Sequence, residues 1–204
     1  MKPREQGTGD GAMSEMSLTR REIKEAAKRL IAVQGFTATT VRQIARKVSM
    51  KGGSLYYHFG GKDEILFSIL DEGNRLLLSA AERVLKLNLK DAPTILRRLI
   101  QEHIRILSED PAQFMVVTRE LNRLRGEHRQ RIMSQRDQYE GVIQDVLIQG
   151  IKEKSIRQCN VKVVSYGVIA LLNGIAYWYR PDGRLTVERI AEEYTQVLLD
   201  GLRA

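Results

Sequence analysis

Apolar residues recur at helical spacing along almost the whole chain, and most of the stripes open and close on cap residues. Thr19 with Glu22 makes a capping box, Ile23, Ala26, Ala27, Leu30 and Ile31 follow as one stripe, and Gly35 closes it. Thr40 with Gln43 opens a second, short helix whose buried face is Val41, Ile44 and Ala45. Asp63 and Glu64 sit where a helix N-terminus favours negative charge, and Leu66, Ile69, Leu70, Leu77, Ala80, Val84 and Leu85 carry that helix to about Leu87. Ile95, Leu99, Ile100 and Ile104 line the next helix, after Pro93. Asp110-Pro111 is a cap followed by proline at the first helical position, ahead of Phe114, Met115, Val117 and Leu121. A polar helix over about Glu127 to Lys154 has Tyr139, Val142, Ile143, Val146, Leu147 and Ile151 on its apolar side. Thr186 caps the last helix, striped by Val187, Ile190, Ala191, Tyr194, Val197 and Leu198. No alternating strand pattern, internal repeat or low-complexity linker interrupts the series. The expectation is an all-α fold of about nine helices.

One helix breaks the amphipathic rule. From Val161 to Tyr177 nearly every position is apolar, so the helix needs cover on most sides. The economical cover is a second copy of the chain, the last two helices pairing with the same two of a homodimer about a two-fold axis. The sequence offers no apolar run near 18 residues, so no membrane span is expected. Residues 1–16 are polar and aperiodic, lack the apolar segment of a secretory signal, and read as a disordered tail in which Met13 is an alternative start to Met1. The single cysteine, Cys159, excludes an intrachain disulfide framework and fits a reducing, cytoplasmic setting.

Charge is distributed unevenly. Residues 1–62 hold 12 Lys and Arg against 5 Asp and Glu, while the remainder holds 21 against 20. The basic end contains Thr39–Lys62, which reads as a helix, a tight turn and a second short helix ending in an aromatic cluster. Two short helices of this kind suit the major groove of double-stranded DNA. Thr39 and Thr40 can offer hydroxyls to phosphate, beside the basic Arg42, and Lys51, Gly52, Gly53 and Ser54 stand where side chains reach base edges. Lys51 occupies a cap position that a hydroxyl would fill better. Tyr56, Tyr57 and His58 are large polar aromatics on a very short helix. A metal role for His58 is not expected, since no second ligand lies at suitable spacing. The expected division is a tail over 1–16, a helix-turn-helix domain over 17–62 and a second domain over 63–204. No catalytic motif is present, and the three histidines are scattered, so an enzyme is not expected.

Thr40-Val41-Arg42-Gln43-Ile44-Ala45, Gly53-Ser54-Leu55-Tyr56-Tyr57-His58-Phe59 and Lys62-Asp63-Glu64 together resemble the signature of TetR-type regulators. The resemblance implies that Tyr57 and His58 face the DNA backbone, that Lys62 adds a charge contact, and that a dimer reads a palindromic operator until a small molecule releases it. Repression is the family's usual mode of action. The turn Val48-Ser49-Met50-Lys51 departs from the family pattern. The segment from Trp178 to Thr186 (Trp-Tyr-Arg-Pro-Asp-Gly-Arg-Leu-Thr) and Arg119–Leu124 resemble the branch that answers to acyl-CoA and controls fatty-acid or sterol degradation. That implies a long-chain acyl-CoA effector and no resident cofactor. Phe114 and Tyr139 would then lie in an apolar slot, Asn173 beside it, and Arg119, Arg123, Arg125 and Arg180 would be cations for the CoA phosphates. A multidrug-type sensor of hydrophobic compounds is the alternative.

Overall fold

The computed structural model describes the backbone from residue 9 and the side chains from residue 19 onward. Half of the expected tail, residues 1–8, therefore lies outside the described residues. Helix α1 (Gly9–Ala38) begins ahead of Thr19, so residues 9–16 are helical and the expected capping box falls inside the helix. Gly35, with φ 80 and ψ 162, breaks α1 as expected, adopting a left-handed conformation that suits glycine.

Among the described residues no strand forms, and an isolated bridge joins Ile156 to Arg203. After α1 come α2 (Val41–Lys47), α3 (Gly52–His58), α4 (Lys62–Leu85), α5 (Ala92–Glu109), α6 (Pro111–Arg119), a 3-10 turn (Leu121–Arg123), α7 (Gly126–Lys152), α8 (Val161–Asn173), α9 (Ile175–Trp178) and α10 (Val187–Leu202). The fold is all-α. Helix α6 stops at Arg119, short of Leu121, and the expected Val161–Tyr177 helix is interrupted at Gly174. Thr40, Asp110 and Thr186 cap their helices as expected, and Asp91 and Asn160 do so as well: each accepts a backbone N–H at the start of its helix.

The chain divides into two compact units, Met1–Ile69 and Leu70–Ala204. The first unit is held by Ile23, Ala27, Ile31, Ile44, Leu55 and Phe59, all nearly or fully buried. The second is built around α5, which buries Leu96, Leu99, Ile100, His103, Ile104 and Leu107 and packs against α6, α7, α8, α9 and α10. Gly73 of α4 lets α6 come close: a methyl group there would stand 2.7 Å from Val117 Cγ2 and 2.9 Å from Gln113 Nε2. Buried Asp71 ties α4 to α7, accepting from Gln135 Nε2 at 2.8 Å and Arg131 Nε at 3.1 Å while also pairing with Arg75.

Within one chain α8 is covered on one side. Ser165, Val168 and Leu172 are buried, whereas Val163 and Tyr166 are 64% and 52% exposed, and Gly167 and Ala170 also face outward. Val197 of α10 and Trp178, whose ring lies 6.3 Å from that of Tyr194, extend the exposed apolar surface. By length and composition alone Val161–Trp178 is apolar enough to cross a membrane, as the core or interface helix of a regulator can be; Lys162, Ser165 and Asn173 divide it and Gly174 interrupts the helix.

Candidate nucleic-acid interface and ligand cavity

The head formed by α2 and α3 begins with an N-terminal box. Thr40 Oγ1 accepts from Gln43 N at 3.2 Å, and Gln43 Oε1 accepts from Thr40 N at 2.8 Å. Ser49, at φ 54, carries the turn in a left-handed conformation, and α3 starts at Lys51 with no side-chain cap. Leu55 and Phe59 anchor α3, which leaves Lys51, Gly53, Ser54, Tyr56 and Tyr57 exposed, Tyr57 by 80%. Arg42, Arg46 and Lys47 are exposed on α2. No acidic residue occurs between Glu25 and Asp63, so this cationic surface has no carboxylate of its own to neutralise it. A surface that presents basic, hydroxyl and aromatic groups in this way can hold phosphates and reach base edges.

Two expected phosphate contacts are used internally. Thr39 is fully buried and its hydroxyl donates to Gly35 O at 2.8 Å. Lys62 Nζ donates to Phe36 O and Thr39 O, both at 2.8 Å, and lies 4.1 Å from the centre of the Phe36 ring. Its ammonium caps the carbonyl end of α1 from the first turn of α4. His58 is half-buried, with Nδ1 buried and unpartnered and its ring edge-on to Tyr57. Arg20, whose role the sequence did not suggest, donates to His58 O and to Glu64 Oε1 and stacks 4.1 Å above the Phe59 ring.

The second unit holds a cavity of about 270 Å³ lined by Asn74 and Leu77 of α4, His103 of α5, Val117 of α6, Leu121, five residues of α7 besides Tyr139, and Tyr166, Ile169 and Asn173 of α8. The α7 residues Arg129, Met133, Arg136, Asp137 and Glu140 repeat at helical spacing. Arg136 makes no hydrogen bond or ion pair, and burial holds its guanidinium below its ordinary value against a smaller opposing pull from the adjacent Asp137 carboxylate. Glu140 accepts from Ser165 Oγ at 3.2 Å and from Gln144 Nε2. Fully enclosed His103 has Nδ1 2.8 Å from the Tyr139 hydroxyl, and desolvation pushes its pKa down to about 4 against a smaller upward pull from a hydrogen-bonding interaction with the Asn173 side chain. Burial pushes the Tyr139 phenol up. Among the described residues no cluster could hold a metal ion.

Residues 23–69 match the model of bacterial regulatory proteins of the tetR family, and residues 92–202 match that of the tetracyclin repressor-like C-terminal domain. The second match alone covers more than half of the chain. This chain belongs to the TetR family. It is similar to the HTH-type transcriptional repressor KstR2 of Mycobacterium tuberculosis, 30% identical over 95% of this chain and 97% of that one. The solved structure of the ketosteroid regulator KstR2 superposes with a TM-score of 0.85 at 28% identity, covering 91% and 95% of the two chains. AibR, solved with isovaleryl coenzyme A and operator DNA, superposes with a TM-score of 0.81 at 27% identity, covering 88% and 97%. The TetR family and these relatives are transcriptional regulators, and the helix-turn-helix of this TetR protein is its DNA-binding unit.

Of the effector residues expected in this TetR-family chain, Tyr139 and Asn173 line the cavity and the others do not. Phe114 is fully buried core. Arg119 stacks 5.1 Å from the Tyr177 ring, Arg123 pairs with Glu120 at 3.7 Å, and Arg125 donates to Asn122 O at 2.5 Å. Arg180 is exposed in the turn closed by the Gly183 N–H. Sequence reasoning missed Arg129 and Arg136. Their signal was two cations three and four residues from Met133, on the face of α7 that later carries Tyr139.

Proposed function

We propose that this TetR-family regulator is a homodimeric repressor that a CoA thioester releases from a palindromic operator, and that it controls genes of lipid or sterol degradation. The single observation that carries the reading is the cavity: an apolar interior with Leu77, Val117 and Ile169, and an unpaired guanidinium, Arg136, in its wall. A half-buried guanidinium with no hydrogen bond is costly, and a phosphate or other anionic group of the ligand would offset that cost beyond what the neighbouring Asp137 carboxylate supplies. Arg129 stands two helical turns earlier on the same face, and Asp137 and Glu140 set two negative charges against the two arginines in the same wall. The volume lies at the small end for ligand sites and favours a short or compact acyl group over the long chain expected from the sequence. KstR2 as a ketosteroid regulator and AibR with isovaleryl coenzyme A support the same chemical class.

Helix α4 supplies both Asn74 and Leu77 to the cavity and Lys62 to the capped end of α1, so it is the element on which ligand and DNA-binding states would act. A ligand that binds better to the DNA-incompetent state then shifts the population away from the operator. The exposed face of α8 with Val197 of α10 is the surface for the second copy.

An operator selected from a random duplex library and a panel of CoA esters test this. Short and branched acyl-CoA esters should release the protein in a fluorescence-anisotropy titration, while the corresponding free acids should not. Arg136→Ala should weaken the ester at least about tenfold without changing operator affinity. Calorimetry showing no binding of any acyl-CoA would sink the reading, and release by unrelated hydrophobic compounds would favour a multidrug-type sensor.

A further inference from the structure

The most buried polar side chain lining the cavity is that of His103, 1% exposed against 6% for Asn74 and Tyr139. Its buried Nε2 makes no hydrogen bond of ordinary geometry, although the Asn173 side chain is close enough to act on the ring and hold its pKa up slightly. Its other nitrogen lies 2.8 Å from the Tyr139 hydroxyl, which has no other partner. This arrangement decides the tautomer. If Nδ1 carried the proton, the Tyr139 O–H would lack an acceptor and Nε2 would lack a donor. If Tyr139 donates to Nδ1, a single group stays unmade, the Nε2 proton. The second arrangement leaves one buried polar group unsatisfied instead of two. His103 therefore offers an N–H donor from a cavity wall whose other nearby members include Leu77, Val117 and Ile169.

We propose that His103, oriented by Tyr139, selects ligands whose buried part carries a carbonyl oxygen, which accepts from Nε2–H in the space beside Asn173. The proposal rests on the cavity being the effector site. The oxygen has two sources in a CoA ester: the thioester carbonyl, or an oxo group further along the acyl part. In either case the donor discriminates, because a hydrocarbon of the same shape leaves the N–H unpaired. Burial keeps the ring neutral, with a pKa of about 4, so the preference does not change between about pH 6 and 8.

The test is a set of matched ligands titrated by calorimetry into the full chain and into His103→Phe and Tyr139→Phe. Hexanoyl-CoA against hexyl-CoA, a thioether, isolates the thioester oxygen. 5-Oxohexanoyl-CoA against hexanoyl-CoA isolates a chain oxygen. Cyclohexanone against methylenecyclohexane, followed by NMR shifts, asks the same question without CoA. The carbonyl-bearing member of at least one pair should bind about tenfold or more tightly to the wild type. His103→Phe should bind both members equally, and Tyr139→Phe should reduce the preference by freeing the tautomer. The bound ketone should also move the His103 Nε2–H resonance downfield. Equal binding within all three pairs, or a preference retained by His103→Phe, would overturn the inference. If no CoA compound binds while the ketone keeps its advantage, the CoA reading fails and the selection by His103 stands. If neither the CoA compounds nor the ketone bind, His103 is a packed core histidine and the inference fails.

Discussion

Lys62 illustrates how a residue's chemistry can be read correctly and its partner wrongly. A lysine after a Tyr-Tyr-His-Phe cluster, in a basic region, invites a phosphate contact. The structure gives its ammonium two main-chain carbonyls, Phe36 O and Thr39 O, at the end of α1. Phe36 O otherwise accepts only the Thr39 N–H, at 3.2 Å, and a cation at such a helix end also meets the negative end of the helix dipole. Lys62→Met should therefore destabilise the chain by about 1–3 kcal/mol in urea unfolding. Operator affinity should fall with stability while the slope of log affinity against log salt stays unchanged; a slope smaller by about one would restore Lys62 as a phosphate contact. Thr39 went astray for a related reason: two adjacent threonines look alike in sequence, yet the left-handed backbone at Gly35 turns the first inward and leaves the second to cap α2.

At the scale of elements, the cap residues and stripes made the helices legible. What they could not convey was which face of a mixed helix meets which neighbour. Helix α7 reads as polar before Tyr139, yet that part buries Ile132 and Gln135 and turns Met133 and Arg136 to the cavity. The arginines of Arg119–Arg125 drew attention because Arg119–Leu124 resembles the acyl-CoA-responsive branch of the family. The break between α6 and the 3-10 turn at Leu121–Arg123 leaves Arg119 and Arg123 exposed, and Arg125 spends its guanidinium on the turn's carbonyls. Gly73 went unnoticed too, since a glycine inside a helix signals close packing only when the opposing helix is known. Gly73→Ala would place a methyl group against the stiff, β-branched Val117 and force α4 from α6. We expect a loss of about 1–3 kcal/mol in thermal unfolding, together with weaker effector binding, because Val117 and Asn74 both line the cavity. Full binding with lowered stability would separate the packing from the site.

For the whole molecule, the excess positive charge lies in residues 1–62, with 12 basic against 5 acidic groups, and α8, α9 and α10 leave Val163, Tyr166, Tyr177, Trp178 and Val197 bare, beside scattered exposed residues such as Val33 and Leu76 elsewhere. The first property gives salt-sensitive association with DNA; the second is the surface proposed above for a second copy. Val163→Glu should convert a dimer to monomers in sedimentation, with no loss of helix content. The monomer should lose operator affinity by about a hundredfold or more, since two half-sites no longer act together. A dimer that survives the substitution would move the interface elsewhere. Trp178 makes this surface observable without any label. It is the chain's single tryptophan, it is 44% exposed, and it stands beside Tyr194 at the edge of that surface. The protein thus carries one intrinsic fluorophore at the place where assembly would exclude water, and its emission colour, followed on dilution, reads out the state of that corner alone.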